Sequence, residues 1–518
     1  MKKKLRSLLR IVFGRTAFML LFIMLQLAFF FGIVHWISSE YSLISYAGLH
    51  LLGTLTCIYI YNKPENPSFK LSWIIPVLAF PVFGTLLYLY VELEISGRII
   101  SKRANRLVKE SRIYLQQDQK VLSHLENEDD RLSGLVNYVG EFGGFPIYEN
   151  YTAEYFPSGE QKFERLKEEL EKARKFIFME YFIVERGEMW NSILEILEEK
   201  VREGVEVRVM YDGMCCLMLL PYSYPKTLRE KGIKCKMFSP IRPALSTHQN
   251  NRDHRKICVI DGHTAFTGGV NLADEYINRK VRFGHWKDTA VMVEGDAAVG
   301  FTMMFLQMWG VTEQEKERYE SYLKPADYRL PKDADASGFV IPYGDSPLDK
   351  ENVGEQVYQD ILGHAKKYVH IMTPYLILDD EMVNALSYAA KRGIDVKLIM
   401  PHIPDKWYAF AVAQTYYEEL ISAGVQIYEY TPGFVHAKVF VSDNDTATVG
   451  TINLDYRSLY HHFECGTFIY NNPVVWEIER DFQNTLKACQ KITMLDVKAR
   501  RIGMKMVGRV LRLIAPLM

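Results

Sequence analysis

Two segments of the chain place a histidine two residues before a lysine and an aspartate five residues after that lysine. They read HRKICVIDGHTAFTGGVN from His254 and HAKVFVSDNDTATVGTIN from His436. Each continues through a glycine turn to an asparagine, Asn271 in the first copy and Asn453 in the second. A single H-x-K is usually a surface histidine beside a lysine. Two copies with identical spacing inside a longer repeat indicate a shared function.

The residue types in this motif suit chemistry on a phosphodiester. Residues two apart in a strand share one face, so His254 lies beside Lys256 and His436 lies beside Lys438. A lysine can neutralise a phosphate oxygen, while an imidazole can attack phosphorus or transfer a proton. Two facing copies would let one histidine act as nucleophile and the other as acid and then base. The paired lysines and asparagines supply electrostatic stabilisation, so the motif predicts no cofactor and no metal. The H-x-K spacing also lacks the partners of a zinc site.

Four acids accompany the two motifs. Asp261 and Asp443 complete the catalytic motif, but they lie five residues beyond their lysines and therefore on the opposite strand face. We expect them to form structural hydrogen bonds more than to contact phosphate. Asp288 and Glu464 follow the two motifs at comparable distances. They are predicted to orient the histidines, with a surface position as the alternative.

The surrounding sequence repeats the same order of elements. A buried strand pattern from Phe176, a helical pattern from Trp190 to Arg202 and a second strand from Val205 recur as HIMTPYLI from His370 and KRGIDVKLIM from Lys391. Strand, helix and strand in this order predict an α/β fold with parallel βαβ units and a sheet covered on both faces. We therefore predict two homologous lobes, 135–325 with its motif at 254–261 and 340–495 with its motif at 436–443.

Residues 1–110 are predicted to anchor the chain in a membrane through apolar segments at 16–38, 43–61 and 71–90. The first two are long enough to span, and the third contains two prolines and could cross or re-enter. Basic clusters precede the first segment and follow the third, which favours two crossings with the catalytic region on the cytoplasmic face. Three crossings, which place the second cluster outside, remain the alternative.

The C-terminal segment 496–518 is basic and amphipathic. It is predicted to lie on anionic lipid or, equally, on the protein's own core. The net charge of the 518-residue chain is -1, so no global positive field attracts nucleic acid. The seven cysteines are scattered and mostly lie in apolar runs, which predicts reduced, buried thiols.

The motifs resemble those of the phospholipase D superfamily. Over nearly the whole chain, sequence segments are similar to those of bacterial cardiolipin synthases. They are RDHRKICVIDG, GGVNLADEY, TPYLILDDEM, PGFVHAK and VGTINLDYRS. The resemblance implies two lobes related by a pseudo-twofold axis, each a mixed sheet flanked by helices. Asp253 and His462 depart from the pattern, since asparagine is more usual at both positions, which puts substrate preference in doubt.

The resemblance also implies a reaction and residue roles. Two phosphatidylglycerol molecules would give cardiolipin and glycerol through a phosphatidyl-histidine intermediate. His254 would be the nucleophile and His436 the general acid and base. The phosphate would be held by four side chains, those of Lys256, Lys438, Asn271 and Asn453.

Three alternatives stay open on the sequence. A nuclease or phosphodiesterase could use the same scaffold, although the neutral charge balance and the apolar segments disfavour it. A hydrolytic phospholipase D would use water as acceptor, and acceptor choice depends on how the pocket excludes water. A non-catalytic lipid-binding scaffold is disfavoured by the intact histidine and lysine in both copies.

Overall fold

The computed structural model describes residues 24, 39–92, 95–238, 251–313, 317–323, 328–330 and 336–517. The chain divides into two compact units. One consists of Met1–Ile100, Ile241–Asn250 and Val510–Met518, and the other of Ser101–Pro240 and Asn251–Arg509. Both copies of the motif lie in the second unit.

The first unit contains three described helices, α1 (Ser39–Tyr61), α2 (Pro67–Ala79) and α3 (Pro81–Glu92). Asn66 caps α2 by accepting a hydrogen bond from the Ser68 backbone N–H at 3.0 Å. The apolar run 71–90 breaks between α2 and α3, where Pro81 starts a new helix. The core of this helical unit includes Ile60, Val77 and Tyr88.

Within the described ranges, no helix combines the length and the apolar character needed to cross a membrane. The predicted crossing at 43–61 is therefore not supported, nor is the alternative in which 71–90 also crosses, although both runs are helical. The predicted crossing at 16–38 lies outside the described residues, apart from Met24.

The second unit begins with α4 (Ile95–Ser111), whose first residues belong to the other unit, and continues through α5 (Gln119–Glu128) and α6 (Ser133–Tyr138). The first lobe follows. Its elements are β1 (Tyr151–Phe156), α7 (Gly159–Lys172), β2 (Phe176–Tyr181), α8 (Glu188–Arg202), β3 (Glu206–Asp212), α9 (Tyr224–Glu230), β4 (Lys234–Phe238), β5 (Arg252–Asp253), β6 (Lys256–Ile260), β7 (Thr264–Gly268), β8 (His285–Lys287), β9 (Ala290–Gly295) and α10 (Ala298–Gly310).

The second lobe repeats this order with additions. Its elements are β10 (Phe339–Asp345), α11 (Val353–His364), β11 (Tyr368–Met372), β12 (Leu376–Ile377), α12 (Asp380–Lys391), β13 (Asp395–Pro401), α13 (Trp407–Ala413), α14 (Tyr417–Ala423), β14 (Gln426–Tyr430), β15 (Gly433–Val435), β16 (Val439–Ser442), β17 (Thr446–Gly450), β18 (Leu454–Asp455), β19 (His462–Tyr470), α15 (Val474–Leu486) and β20 (Cys489–Ile492). Two further helices end the unit, α16 (Met494–Ala499) and α17 (Ile502–Arg512).

The sheets of the two lobes have matching strand orders, β1-β9-β7-β6-β2-β3-β4 and β10-β19-β17-β16-β11-β13-β14-β20. In the first lobe β2, β3 and β4 are parallel, whereas β6, β7, β9 and β1 pair antiparallel. The predicted α/β fold with two mixed-sheet lobes is confirmed. The expected parallel βαβ units account for one half of each sheet, and antiparallel strands that carry the motifs form the other half.

Burial explains the strand patterns. Every residue of β2, β6 and β7 is buried, as expected for strands covered on both faces. The predicted helix over 190–202 forms as α8, with Trp190, Ile193 and Leu197 buried against the sheet. All seven cysteines are free thiols, but only four are buried as predicted, since Cys57, Cys215 and Cys489 are half-buried.

Candidate active site

Two short interlobe strand pairs bring the motifs together. In one pair, β5 of the first lobe runs parallel to the start of β19, with Asp253 opposite Phe463. In the other, β15 of the second lobe runs parallel to β8, with Val435 opposite Lys287. Each catalytic-motif histidine directly follows one of these strands. The site is therefore built where the two lobes exchange backbone pairs.

Each histidine is hydrogen-bonded to an acid from the other lobe. His254 Nδ1 lies 2.8 and 2.9 Å from the two carboxylate oxygens of Glu464. His436 Nδ1 lies 2.8 Å from Oδ2 of Asp288. The predicted orienting acids thus contact the histidines, but in crossed pairs that sequence order did not indicate. With Nδ1–H donated to a carboxylate, each Nε2 carries a lone pair for chemistry.

Burial sets the protonation state of these pairs. It lowers the pKa of His254 well below its usual value, against the opposing effect of Glu464. It also lowers the pKa of His436 to about 4, and the Lys438 ammonium acts in the same direction. Although burial opposes ionisation, His254 keeps the pKa of Glu464 below its ordinary value, and His436 does the same for Asp288. Near neutral pH the site holds two neutral imidazoles and two carboxylates.

The two lysines are buried and close to both acids. Lys256 Nζ donates to the backbone carbonyl of His254 at 2.6 Å, and Lys438 Nζ donates to that of His436. Burial lowers the pKa of Lys256 to about 8 and that of Lys438 to about 7. Each ammonium has three donors, so two remain for a ligand. An anionic phosphate would favour the charged form of both side chains.

The two asparagines are buried and keep amide atoms unsatisfied. Asn271 Oδ1 accepts from the Ile183 backbone N–H at 3.0 Å, and its Nδ2 has no hydrogen-bond partner among the described residues. Oδ1 of Asn453 likewise has no partner within the described part of the chain. Unsatisfied buried amide atoms are costly, and a bound polar ligand would remove that cost.

The final aspartates of the motifs lie at turns, away from the histidines. Asp261 accepts hydrogen bonds of 2.7–2.8 Å from the backbone N–H groups of Arg174, Lys175 and Phe176. Asp443 accepts equivalent bonds of 2.6–3.0 Å from Lys366, Lys367 and Tyr368. Both aspartates have φ near +53°, which suits the hairpin turn between the motif strand and the next strand. Each carboxylate thus ties its motif strand to the start of the neighbouring strand.

Sequence reasoning missed the residues that pack on the imidazoles. Trp286 donates its Nε1–H to Asp288 at 3.3 Å, and its ring centroid lies 5.3 Å from that of His436. Phe182 contacts His254 with ring centroids 4.6 Å apart. His462, noted in the sequence as a departure, lies with its ring 5.3 Å from His254. Trp286 and His462 each precede an orienting acid by two residues, and this shared spacing could have revealed them.

The described residues contain one group with the composition of a metal site. It consists of His254, His462 and Glu464, whose ligand atoms all lie within 4.8 Å of one another. The sequence predicted no metal, and the proposed transfer chemistry below does not use one.

Comparison with known proteins agrees with this architecture. The family model described as "Cardiolipin synthase, PLD-like domain" matches residues 166–309 and 358–486, one segment in each lobe. A second model, "Phospholipase D-nuclease N-terminal", matches residues 51–91. The solved structure of phosphatidylserine synthase from Haemophilus influenzae Rd KW20 has the same fold. It aligns with a TM-score of 0.54 at 16% identity, covering 74% of this chain and 97% of that one.

Curated relatives match along most of the sequence. An uncharacterized protein of Streptococcus mutans is 51% identical over 89% of this chain and 99% of its own length. The cardiolipin synthase of Alkalihalophilus pseudofirmus is 32% identical over 91% of this chain and 94% of its own length.

The fold and the duplicated site define a phosphatidyltransferase with two phospholipase D-like lobes. Within that class, the chain belongs to the cardiolipin synthase family.

Proposed function

We propose that this protein is a cardiolipin synthase that joins two phosphatidylglycerol molecules and releases glycerol. The observation that carries the proposal is the crossed arrangement, in which a buried acid of each lobe holds the imidazole of the other lobe at 2.8 Å. Two oriented imidazoles on one site are what a two-step displacement at phosphorus requires.

In the first step, His254 Nε2 attacks the phosphorus of one phosphatidylglycerol. A nitrogen–phosphorus bond forms, and the bond from phosphorus to the glycerol headgroup oxygen breaks. Glu464 accepts the Nδ1–H of His254 and stabilises the positive charge that develops on the ring. His436 gives its proton to the departing glycerol oxygen.

His436 must be protonated for this step, although its pKa in the free site is about 4. The bound phosphate brings a negative charge next to the imidazole. An opposite charge within about 4–6 Å stabilises the protonated imidazole and so raises the pKa of the histidine. Substrate binding therefore supplies the protonated acid near neutral pH.

In the second step, neutral His436 takes a proton from a headgroup hydroxyl of the second phosphatidylglycerol. That oxygen attacks phosphorus, the bond to His254 breaks, and cardiolipin leaves. Lys256, Lys438 and Asn271 are assigned to the non-bridging phosphate oxygens, because each lies in or beside a motif and has N–H donors available. Asn453 is assigned to the same oxygens through its amide Nδ2 by its equivalent place in the second motif, since its unpaired Oδ1 can only accept a hydrogen bond.

We also propose that the lobes meet their lipids at a membrane surface. The loops after β3 and β13 leave the sheets at the edge where the motif histidines lie. They expose large apolar side chains, namely Met214, Leu217, Met218, Tyr222, Ile403, Trp407 and Tyr408. Large exposed apolar side chains on both loops support contact with a bilayer.

The C-terminal helix α17 supports the same surface. Gly508 packs on the Ala411 carbonyl of α13, the helix that exposes Trp407, because a side chain at 508 would lie 2.4 Å from that oxygen. Apolar Met504, Met506 and Val507 stay exposed. Lys505 and Arg509 lie on the same helix and favour anionic lipid.

The test is product analysis from phosphatidylglycerol carrying a labelled headgroup and labelled acyl chains, incubated with the purified full-length chain. We expect cardiolipin and free glycerol in equal amounts in the presence of a chelator. Phosphatidic acid as the main product would instead identify a hydrolase. Absence of turnover in both detergent and vesicles would reject the proposed function.

A further inference from the structure

The two halves of the site differ at one equivalent position. Trp286 lies two residues before Asp288, and His462 lies two residues before Glu464. Trp286 uses its single polar atom on Asp288. His462 Nδ1 lies 3.6 Å from Glu464 Oε1, too far for a hydrogen bond. Neither ring nitrogen of His462 has a hydrogen-bond partner among the described residues.

This imidazole is also buried, with 6% of its side chain exposed. Burial of a polar group without a hydrogen-bond partner is unfavourable. The ring lies against His254, at 5.3 Å between centroids, and against Phe182, at 6.1 Å. His462 therefore places a third possible metal ligand, and the second one with nitrogen, beside the His254–Glu464 pair.

We propose that His254, His462 and Glu464 form a binding site for a zinc-like divalent cation that inhibits the enzyme. Two imidazole nitrogens and one carboxylate oxygen, with water in the fourth position, are a ligand set that zinc accepts. Ligand atoms within 4.8 Å of one another can converge on one ion after small side-chain rotations. Nickel or copper would bind the same ligands by the same chemistry.

Zinc binding would stop transfer through His254. Coordination uses a lone pair of this imidazole, and the proton that Nδ1 shares with Glu464 is released to solvent if Nδ1 is the ligand. In either ring orientation, His254 is no longer a free nucleophile aligned by Glu464. The inhibition therefore rests on the proposed function, whereas the binding of the ion does not.

The other half of the site provides an internal comparison. His436 and Asp288 are arranged like His254 and Glu464, but indole replaces the third ligand. Indole nitrogen is a donor without an available lone pair. The proposal therefore assigns one cation to the His254 side and none to the His436 side.

The test uses the full-length chain in detergent, stripped with a chelator and titrated with zinc ions alone in a calorimeter. We expect one ion to bind tightly to the wild type. His462→Asn should weaken binding by at least about 100-fold, because it removes one of three protein ligands. His364→Asn is the matched control, since this half-exposed histidine also pairs with an acid, Asp360 at 3.1 Å, and should bind zinc like the wild type.

Turnover is measured on the same samples. Zinc should inhibit the wild type and His364→Asn at matching concentrations, while His462→Asn should resist about 100-fold more zinc. Unchanged zinc affinity in His462→Asn, or no binding to the wild type, would overturn the proposal. If His462→Asn loses zinc binding but the wild type shows no transferase activity, the proposed function is wrong and the metal site is still supported.

Two further measurements keep the test decisive if His462→Asn folds poorly. X-ray absorption of the zinc-loaded wild type should show two imidazole ligands and oxygen ligands. Trp286→His places a third ligand beside His436 and Asp288, and it should raise the stoichiometry to two ions. A zinc shell with fewer than two imidazoles would contradict the assignment.

Discussion

The His254 and His436 sides of the site share a plan and differ in their surroundings. Both put a neutral imidazole against a carboxylate from the opposite lobe, at 2.8 Å. Around His436, Trp286 and Tyr276 pack on the ring, and Trp286 also donates to the acid. Around His254, the corresponding position is the buried His462, whose ring nitrogens have no hydrogen-bond partner among the described residues.

The two copies therefore share the histidine–acid pair but differ in the side chains that pack around it. On the His436 side, aromatic rings pack on the imidazole that we propose gains and loses a proton in each cycle. The His254 side carries an additional polar group next to the proposed nucleophile. We therefore expect the two sides to respond differently to equivalent substitutions.

Removing either imidazole gives the largest expected effect. His254→Ala and His436→Ala should each lower kcat by more than about 1000-fold, because the first removes the nucleophile and the second removes the general acid and base. The two variants should differ in mass spectrometry of enzyme quenched during turnover. A phosphatidyl adduct on His254 should persist in His436→Ala and be absent from His254→Ala. Full activity in either variant would remove the two-histidine mechanism.

Neutralising the orienting acids should have the next largest effect. Glu464→Gln and Asp288→Asn keep the side-chain size but remove the charge that aligns and stabilises each imidazole, so we expect kcat to fall by roughly 100-fold or more. In a rapid-quench experiment, Glu464→Gln should slow mainly adduct formation, in which His254 attacks. Asp288→Asn should slow both formation and breakdown, because His436 is the acid in the first phase and the base in the second. Equal slowing of both phases in both variants would contradict the division of roles between the two sides.

The pH dependence should separate the two lysines. A buried lysine with a lowered pKa loses its charge earlier as pH rises, so kcat/KM should fall above about 7, first through Lys438 and then through Lys256 near 8. Below pH about 4, protonation of His436 removes the base. Lys438→Arg should move the alkaline limb upward because arginine stays charged. Lys256→Arg should leave the alkaline limb near pH 7. If Lys256→Arg moves this limb and Lys438→Arg does not, Lys256 is the lysine that loses its charge first.

A smaller effect is expected at Trp286. Trp286→Phe keeps the ring packing on His436 but removes one hydrogen bond to Asp288. The hydrogen bond from the neutral indole N–H to the Asp288 carboxylate, at 3.3 Å, should stabilise the site by about 1–1.5 kcal/mol. Its loss should therefore lower kcat by roughly five- to tenfold. Stopped-flow assays should assign the loss to the steps that use His436. Because His436 acts in both adduct formation and breakdown, a loss confined to one of the two phases would argue against that interpretation.

The smallest effect on turnover is expected at the turn aspartates. Asp261→Asn and Asp443→Asn tolerate the left-handed backbone but weaken the bonds to three backbone N–H groups. Each should lower the free energy of unfolding by about 1–2 kcal/mol and leave kcat/KM nearly unchanged. Denaturant titration and steady-state kinetics on the same preparation measure the two quantities. A large loss of kcat/KM in a stably folded variant would place these aspartates in the chemistry.

Sequence alone determined the repeat, the mixed α/β character and the residues that could act on phosphate. Hydrophobic patterning located the buried strands β6 and β16, because this signal is local. The expectation that each histidine shares a strand face with its lysine was wrong, since His254, His436 and Lys438 lie just before these strands. Spacing after the motifs also singled out Asp288 and Glu464.

Only the tertiary structure decided which acid serves which histidine. Spacing along the chain favours neither pairing, whereas the interlobe strand pairs β5–β19 and β15–β8 cross the two lobes and exchange their acids. The same crossing brought Trp286 to His436 and His462 to His254, since these contacts join residues about 150 to 210 positions apart. Local patterns cannot encode such contacts, because they arise when two separately patterned lobes bury their edges against each other.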